Sequence, residues 1–209
     1  MTAGEGDEPV TAFLEAADMF AGFCARIRDD DWVRPALGEW DVRALVGHTL
    51  RAVTTVSTYL SQPRPHHVVC GSPGEYFALA RTVPAADDRA VAERGRQAGR
   101  DLGDDPLTTV RAAVDRTRED LAASEGDPVV ATVVGGMRLR VYLPTRTFEL
   151  FAHTLDLAAA TGLDLDPPVT VVESAVATAA AAAARTGDGV ALFRHLLGRP
   201  GGAHHPLFS

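Results

Sequence analysis

Five stretches of this chain repeat apolar residues at three- and four-residue steps, and that repeat commits most of it to α-helices packed side by side. Phe13, Ala17, Phe20, Cys24 and Ile27 form the first stripe, which predicts a helix over about 10–28. A loop with Trp32 and Pro35 follows. Asp41 then stands as an N-cap, and Val42, Leu45, Val46, Val53, Val56 and Leu60 make the apolar face of a second helix, closed by Pro63 and Pro65. Asp105 and Pro106 give a cap and a first-turn proline to a third, with Leu107, Val110, Val114 and Leu121 as its stripe. Pro144 is expected to start a fourth helix and Gly162 to end it, with Phe148, Phe151, Ala152 and Leu155 packing inward. Thr170 and Glu173 sit at capping-box spacing before an Ala-rich fifth helix, and a short helix follows near 189–197.

The segments between are less regular. A polar, Arg-rich helical stretch is expected from about 85 to 102. Gly71-Ser72-Pro73-Gly74 reads as a turn, and Asp29-Asp30-Asp31 as a solvated loop. Val129 to Val134 and Met137 to Val141 are β-rich runs separated by Gly135-Gly136, which places a two-residue hairpin turn at the glycines. The sum is an all-α helical bundle with one small β-hairpin.

Composition narrows the function classes. A net charge of −8 argues against nucleic acid or an anionic membrane as partner. No apolar run reaches the roughly 20 residues that span a bilayer. The acidic, Gly-rich Met1 to Pro9 is unlike a signal peptide, so a cytoplasmic location is expected. Cys24, on the first apolar stripe, and Cys70, in a loop where it is expected to be exposed, do not make a disulfide framework. All 20 basic residues are arginine, which removes lysine Schiff-base chemistry.

Glu149 and His153 stand four residues apart, so both project from one face of the fourth helix about one turn apart. Such a pair can share a divalent ion, or it can be a plain hydrogen-bonded helical pair. His48 falls on or near the packed face of the second helix, where it is either a satisfied core histidine or, if the two helices are neighbours, a third ligand facing Glu149 and His153.

Two motifs carry a family resemblance. Trp40-Asp41-Val42-Arg43-Ala44-Leu45-Val46-Gly47-His48 resembles the W-x-V-x-x-L-x-x-H segment of the mycothiol-dependent maleylpyruvate isomerase N-terminal domain, one of the DinB-like metal-binding bundles. Arg146-Thr147-Phe148-Glu149-Leu150-Phe151-Ala152-His153-Thr154-Leu155-Asp156-Leu157 resembles its R-x-x-E-x-x-x-H-x-x-D-L helix. The hairpin and the Leu-Phe-Arg…Gly-Arg element at 192–199 fit as well. The resemblance implies a DinB-like four-helix bundle with extra short helices over residues 10–200, between a flexible segment at 1–9 and a tail at 201–209. It implies a divalent ion, zinc most often and nickel as the alternative, held by His48, Glu149 and His153. Three protein ligands leave an open position, as catalytic sites do. In this family that position receives a small thiol, mycothiol in actinobacteria, for attack on an electrophile by S-transfer or reversible addition. The arginine-only composition is compatible with an actinobacterial source.

Asp156 and Arg146 are carried as catalytic candidates. Asp156 is placed to accept an N–H from a ligand imidazole, that of His48 being the candidate, or it is a solvent-facing acid. Arg146 neutralises an anionic substrate, pairs with Glu149, or makes a surface ion pair. The stretch after Gly162 leaves no room for the α/β domain of the full isomerase, so a single-domain thiol S-transferase is the expected relative. The partners expected are a thiol and an electrophilic small molecule, with homodimerisation open. The alternative is a non-catalytic metal-binding bundle serving as a sensor or interaction module, or a metal-free helical dimer.

Overall fold

The computed structural model describes residues 7–83 and 88–199. The expected segment at 1–9 lies outside the described residues up to residue 6, and the expected tail at 201–209 lies outside them altogether. Helix α1 (Glu8–Cys24) starts two residues before the expected position, with a proline in its first turn. It buries Phe13, Ala17, Phe20 and Cys24, and Ile27 lies just beyond it at the edge of the core. The Asp29–Asp31 segment is not a solvated loop but a 3₁₀ turn, and Asp31 is buried. Arg28 Nε and Arg34 Nη1 each donate to its carboxylate at 2.9 Å, which makes the burial tolerable.

A second hairpin, absent from the sequence reading, follows: β1 (Pro35–Leu37) pairs antiparallel with β2 (Trp40–Asp41). Gly38, at φ 56°, makes its turn. The hairpin delivers the chain into α2 (Val42–Ser61), whose cap is the expected one, Asp41 Oδ1 accepting from the Ala44 N–H at 2.7 Å. The expected turn at 71–74 is instead the start of α3 (Pro73–Ala80). Ser72 Oγ accepts from the Glu75 N–H and Glu75 Oε2 accepts from the N–H of Gly71, one residue before the cap, so Ser-Pro-x-Glu closes the helix start much as a capping box does. α4 (Asp88–Asp101) and α5 (Pro106–Ala123) lie where the sequence puts them, α5 capped by Asp105.

Strands β3 (Val129–Thr132) and β4 (Gly135–Arg138) turn at Val133-Val134, two residues before the glycines. The glycines serve another purpose. A Cβ on Gly136 would overlap the His67 carbonyl oxygen, and the Gly136 carbonyl accepts the Val69 and Cys70 N–H groups at 2.7 and 3.2 Å. The 65–70 segment therefore seals against the hairpin, and Cys70 is buried rather than exposed.

Helix α6 (Leu139–Thr161) springs directly from β4, five residues ahead of Pro144, which sits inside the helix and costs it one backbone hydrogen bond. Gly162 ends it at φ 72° as expected. Its packed face is shifted from the expected one. Leu143, Leu150 and Leu157 are fully buried beside Thr147, Thr154 and Thr161, while Leu155 is 46% exposed and Phe148 and Phe151 only edge the core. Each threonine hydroxyl donates to the carbonyl four residues back, so the three are buried with their polar groups satisfied. α7 (Val169–Thr186) begins before the expected cap, with Thr170 already helical and bonded to Glu15 of α1, so no capping box forms. α8 (Gly189–Leu196) completes the described chain.

Helices α1, α2, α5 and α6 make the four-helix core, with α1 and α2 each against α5 and α6. α7 covers α1 and α6, α3 lies on α7, and α4 lies on α2. Among the described residues the fold is all-α in its main mass, carrying two small two-stranded sheets. No helix among the described residues is long and apolar enough to cross a membrane.

Candidate functional site

The direct contact of α2 with α6 brings His48 opposite Glu149 and His153. The two imidazole rings meet edge to face with centroids 5.1 Å apart. His153 Nε2 lies 3.3 Å from Glu149 Oε2, and its Nδ1 lies 3.1 Å from Asp156 Oδ2. Asp156 thus serves His153, not His48 as expected, because it follows His153 by three residues on the same helical face. The His48 ring is held on its other side by Trp40, centroids 4.5 Å apart, and Trp40 Nε1 donates to the Ala92 carbonyl at 2.9 Å. β2 and α4 therefore fix one ligand candidate, and α6 alone fixes the other two.

The electrostatics divide the two histidines. Burial, reinforced by the charge on His153, pushes the His48 pKa down to about 4, so its ring is neutral with a free lone pair near pH 7. Burial also opposes charge on His153, but the hydrogen bonds to Asp156 and Glu149 outweigh it and lift its pKa to about 9. Burial alone would raise the Glu149 carboxyl. The His153 hydrogen bond and the charge of Arg146 outweigh burial and hold it below the usual carboxylate range. In this state both His153 nitrogens face carboxylates. Among the described residues no group of three or more His, Cys, Asp or Glu side chains is arranged to hold a metal ion.

A cavity of about 240 Å³ opens above the trio. Arg146 lines it, and it is not a surface residue: its guanidinium stacks over the Tyr142 and Tyr76 rings at 4.9 and 5.4 Å and donates to the Tyr76 hydroxyl at 3.3 Å. Tyr59, Tyr76 and Tyr142 make an aromatic wall, and Arg51 and Arg94 also line the cavity. The sequence reading missed these five. Arg51, three residues after His48, and Tyr142, four before Arg146, were readable as helical neighbours of the motif residues. Tyr76 gave no local signal, since it arrives on α3. His66 and His67 take no part, and His204 and His205 lie outside the described residues.

Residues 13–158 match the family described as the mycothiol maleylpyruvate isomerase N-terminal domain. Two uncharacterized proteins of Mycobacterium tuberculosis, one from strain CDC 1551 / Oshkosh and one from strain H37Rv, are each 27% identical to this chain over 176 residues. The alignment covers 82% of this chain and 79% of each relative. No solved structure matches. With both motifs inside the matched region and their side chains gathered at one cavity, the chain belongs to the mycothiol maleylpyruvate isomerase N-terminal domain family.

Proposed function

We propose that this chain is a metal-dependent thiol transferase or isomerase-like enzyme that uses a small thiol such as mycothiol against an electrophilic substrate. One observation carries the reading: two imidazoles and one carboxylate, from α2 and α6, converge at the floor of a cavity that also holds a stacked arginine. The donor set fits a zinc-type ion, with nickel as the alternative. His48 is neutral, Glu149 is ionised, and His153 presents Nε2 beside Glu149 while Asp156 takes its Nδ1–H. When bound, a divalent ion favours the thiolate over the thiol, and the thiolate is the nucleophile.

The chain's own side chains do the rest. Trp40 locks the His48 ring, and Asp156 orients His153. Arg146, immobilised between Tyr76 and Tyr142, offers its charge to an anionic group of the substrate, while the tyrosine wall limits water. In S-transfer a sulfur–carbon bond forms as the electrophile's leaving group departs with its electron pair. In isomerisation the same bond forms, allows rotation and breaks again, so no net oxidation occurs.

The test is metal content by mass spectrometry on tag-free protein, wild type beside His153→Ala, followed by thiol consumption with mycothiol and a generic electrophile. Near-stoichiometric zinc or nickel that is lost in the variant, with metal-dependent thiol consumption, supports the proposal. A second reading, a metal-free helical interaction module, draws on the closed Glu149–His153–Asp156 cluster, in which both His153 nitrogens already face carboxylates. Wild-type protein that takes up no metal after reconstitution overturns the first reading in favour of the second.

A further inference from the structure

A second cavity, of about 470 Å³, lies between α2, α4 and α5. Leu50, Ala98, Leu102 and Ala113 give it apolar walls, Thr54, Gln97 and Thr109 line it as well, and its volume is within the ordinary range for small-molecule sites. It meets the His48 cavity at Arg51 and Arg94, which line both. Among the described residues neither guanidinium makes a hydrogen bond or an ion pair, although Arg96 and Arg100 of the same α4 both pair with Glu93. The one carboxylate among the described residues lining the cavity, Asp101, is engaged by the Gln97 amide and stands two helical turns from Arg94, about 10 Å along α4. The cavity is therefore mainly apolar and is cationic where it meets the His48 cavity, in a chain of net charge −8.

We propose that this cavity binds an amphiphilic carboxylate. The apolar body lies between Leu50, Leu102 and Ala113, and the carboxylate sits on Arg51 and Arg94. Two unpaired guanidinium forks match a carboxylate in shape and charge, and a neutral head group leaves both unsatisfied. The site stands whether or not the neighbouring cavity holds a metal.

The test is calorimetric and NMR titration of the full chain, treated with chelator, using octanoate, 1-octanol and acetate as probes. Octanoate is expected to bind at least tenfold more tightly than either control and to shift amide signals of α2, α4 and α5. The exposed, unbonded Arg51 and Arg94 are replaceable without loss of the fold, checked by near-UV circular dichroism. Arg51→Gln/Arg94→Gln is expected to weaken octanoate at least tenfold. Ala113→Phe, which fills the cavity and leaves both arginines, is expected to block it. Equal binding of 1-octanol and octanoate, unchanged octanoate binding in the double variant, or shifts confined to α8, where Val190, Phe193 and Leu196 are exposed, would each overturn the proposal.

Discussion

Binding of a divalent ion at His48, Glu149 and His153 is expected to expel one proton at pH 7, and its apparent affinity to climb with pH. The cause is the ion triad on α6. His153 is clasped by Glu149 and Asp156, which lifts its pKa to about 9. At pH 7, about two units below that value, only ~1% of His153 is neutral. Releasing the proton costs ~2.7 kcal/mol, at 1.36 kcal/mol per unit, which lowers apparent affinity ~100-fold. His48, near 4, and Glu149, below the usual carboxylate range, release nothing. Zinc affinity should therefore rise about tenfold per pH unit from about pH 6.5 and level off above about pH 9. Calorimetry in two buffers of different ionisation enthalpy counts the protons directly. One proton at pH 7, falling towards none by about pH 10, is the expected result. An affinity flat between pH 6.5 and 8.5, or release of two protons, would refute the reasoning.

The same two histidines contribute to the pH dependence of the metal-free protein's stability. His153 has a folded pKa above its unfolded value of about 6.5, so its contribution is full below that pH and is lost as pH rises through about 9. His48 has a lowered folded pKa, so its contribution is present above about 6.5 and lost as pH falls through about 4. Thermal melts of chelated protein are expected to peak near pH 6.5, and a monotonic rise to pH 9 would contradict this. Asp156→Asn should weaken metal binding by about 10–100-fold when measured at pH 9, where the His153 proton no longer competes, without changing the fold. Gly136→Ala should destabilise the protein by about 1–3 kcal/mol, or roughly 2–4 °C of melting temperature per kcal/mol, because the new methyl overlaps the His67 carbonyl. An unchanged melt would show that the 65–70 segment is not sealed against β4.

Much of this architecture was legible because its helices obey local rules. Asp41 and Asp105 cap where their side chains can reach an amide two or three residues on, and Gly162 stops α6 because φ 72° suits a residue without a Cβ. The errors came where tertiary contacts overrode local signals. Gly135-Gly136 looked like a turn, but the glycines answer to the close approach of His67 and Val69. Pro144 looked like a helix start, but α6 is continuous with β4 and tolerates it in the interior. Buried Thr147, Thr154 and Thr161 escaped an apolar-only count because their hydroxyls are satisfied within the helix.

The candidate site followed a similar division. The Glu149–His153 pair is a matter of helical spacing and was visible at once. That His48 joins them depends on α2 packing on α6, which spacing does not encode and the family motifs implied. Asp156 was legible as the partner of a ligand imidazole, and that imidazole is His153 rather than His48, since the bond needs only three residues of helix. Tyr76 could not be foreseen, because no pattern in the sequence says that α3 folds back against Arg146.

X-ray absorption at the zinc edge tests the central claim most directly. The loaded protein is expected to show two imidazole nitrogens and a carboxylate oxygen with no sulfur, since Cys24 and Cys70 are both buried elsewhere. Added mycothiol should then bring in a single sulfur at about 2.3 Å. A sulfur present before the thiol is added, or a nitrogen and oxygen shell that the thiol leaves unchanged, would contradict the account.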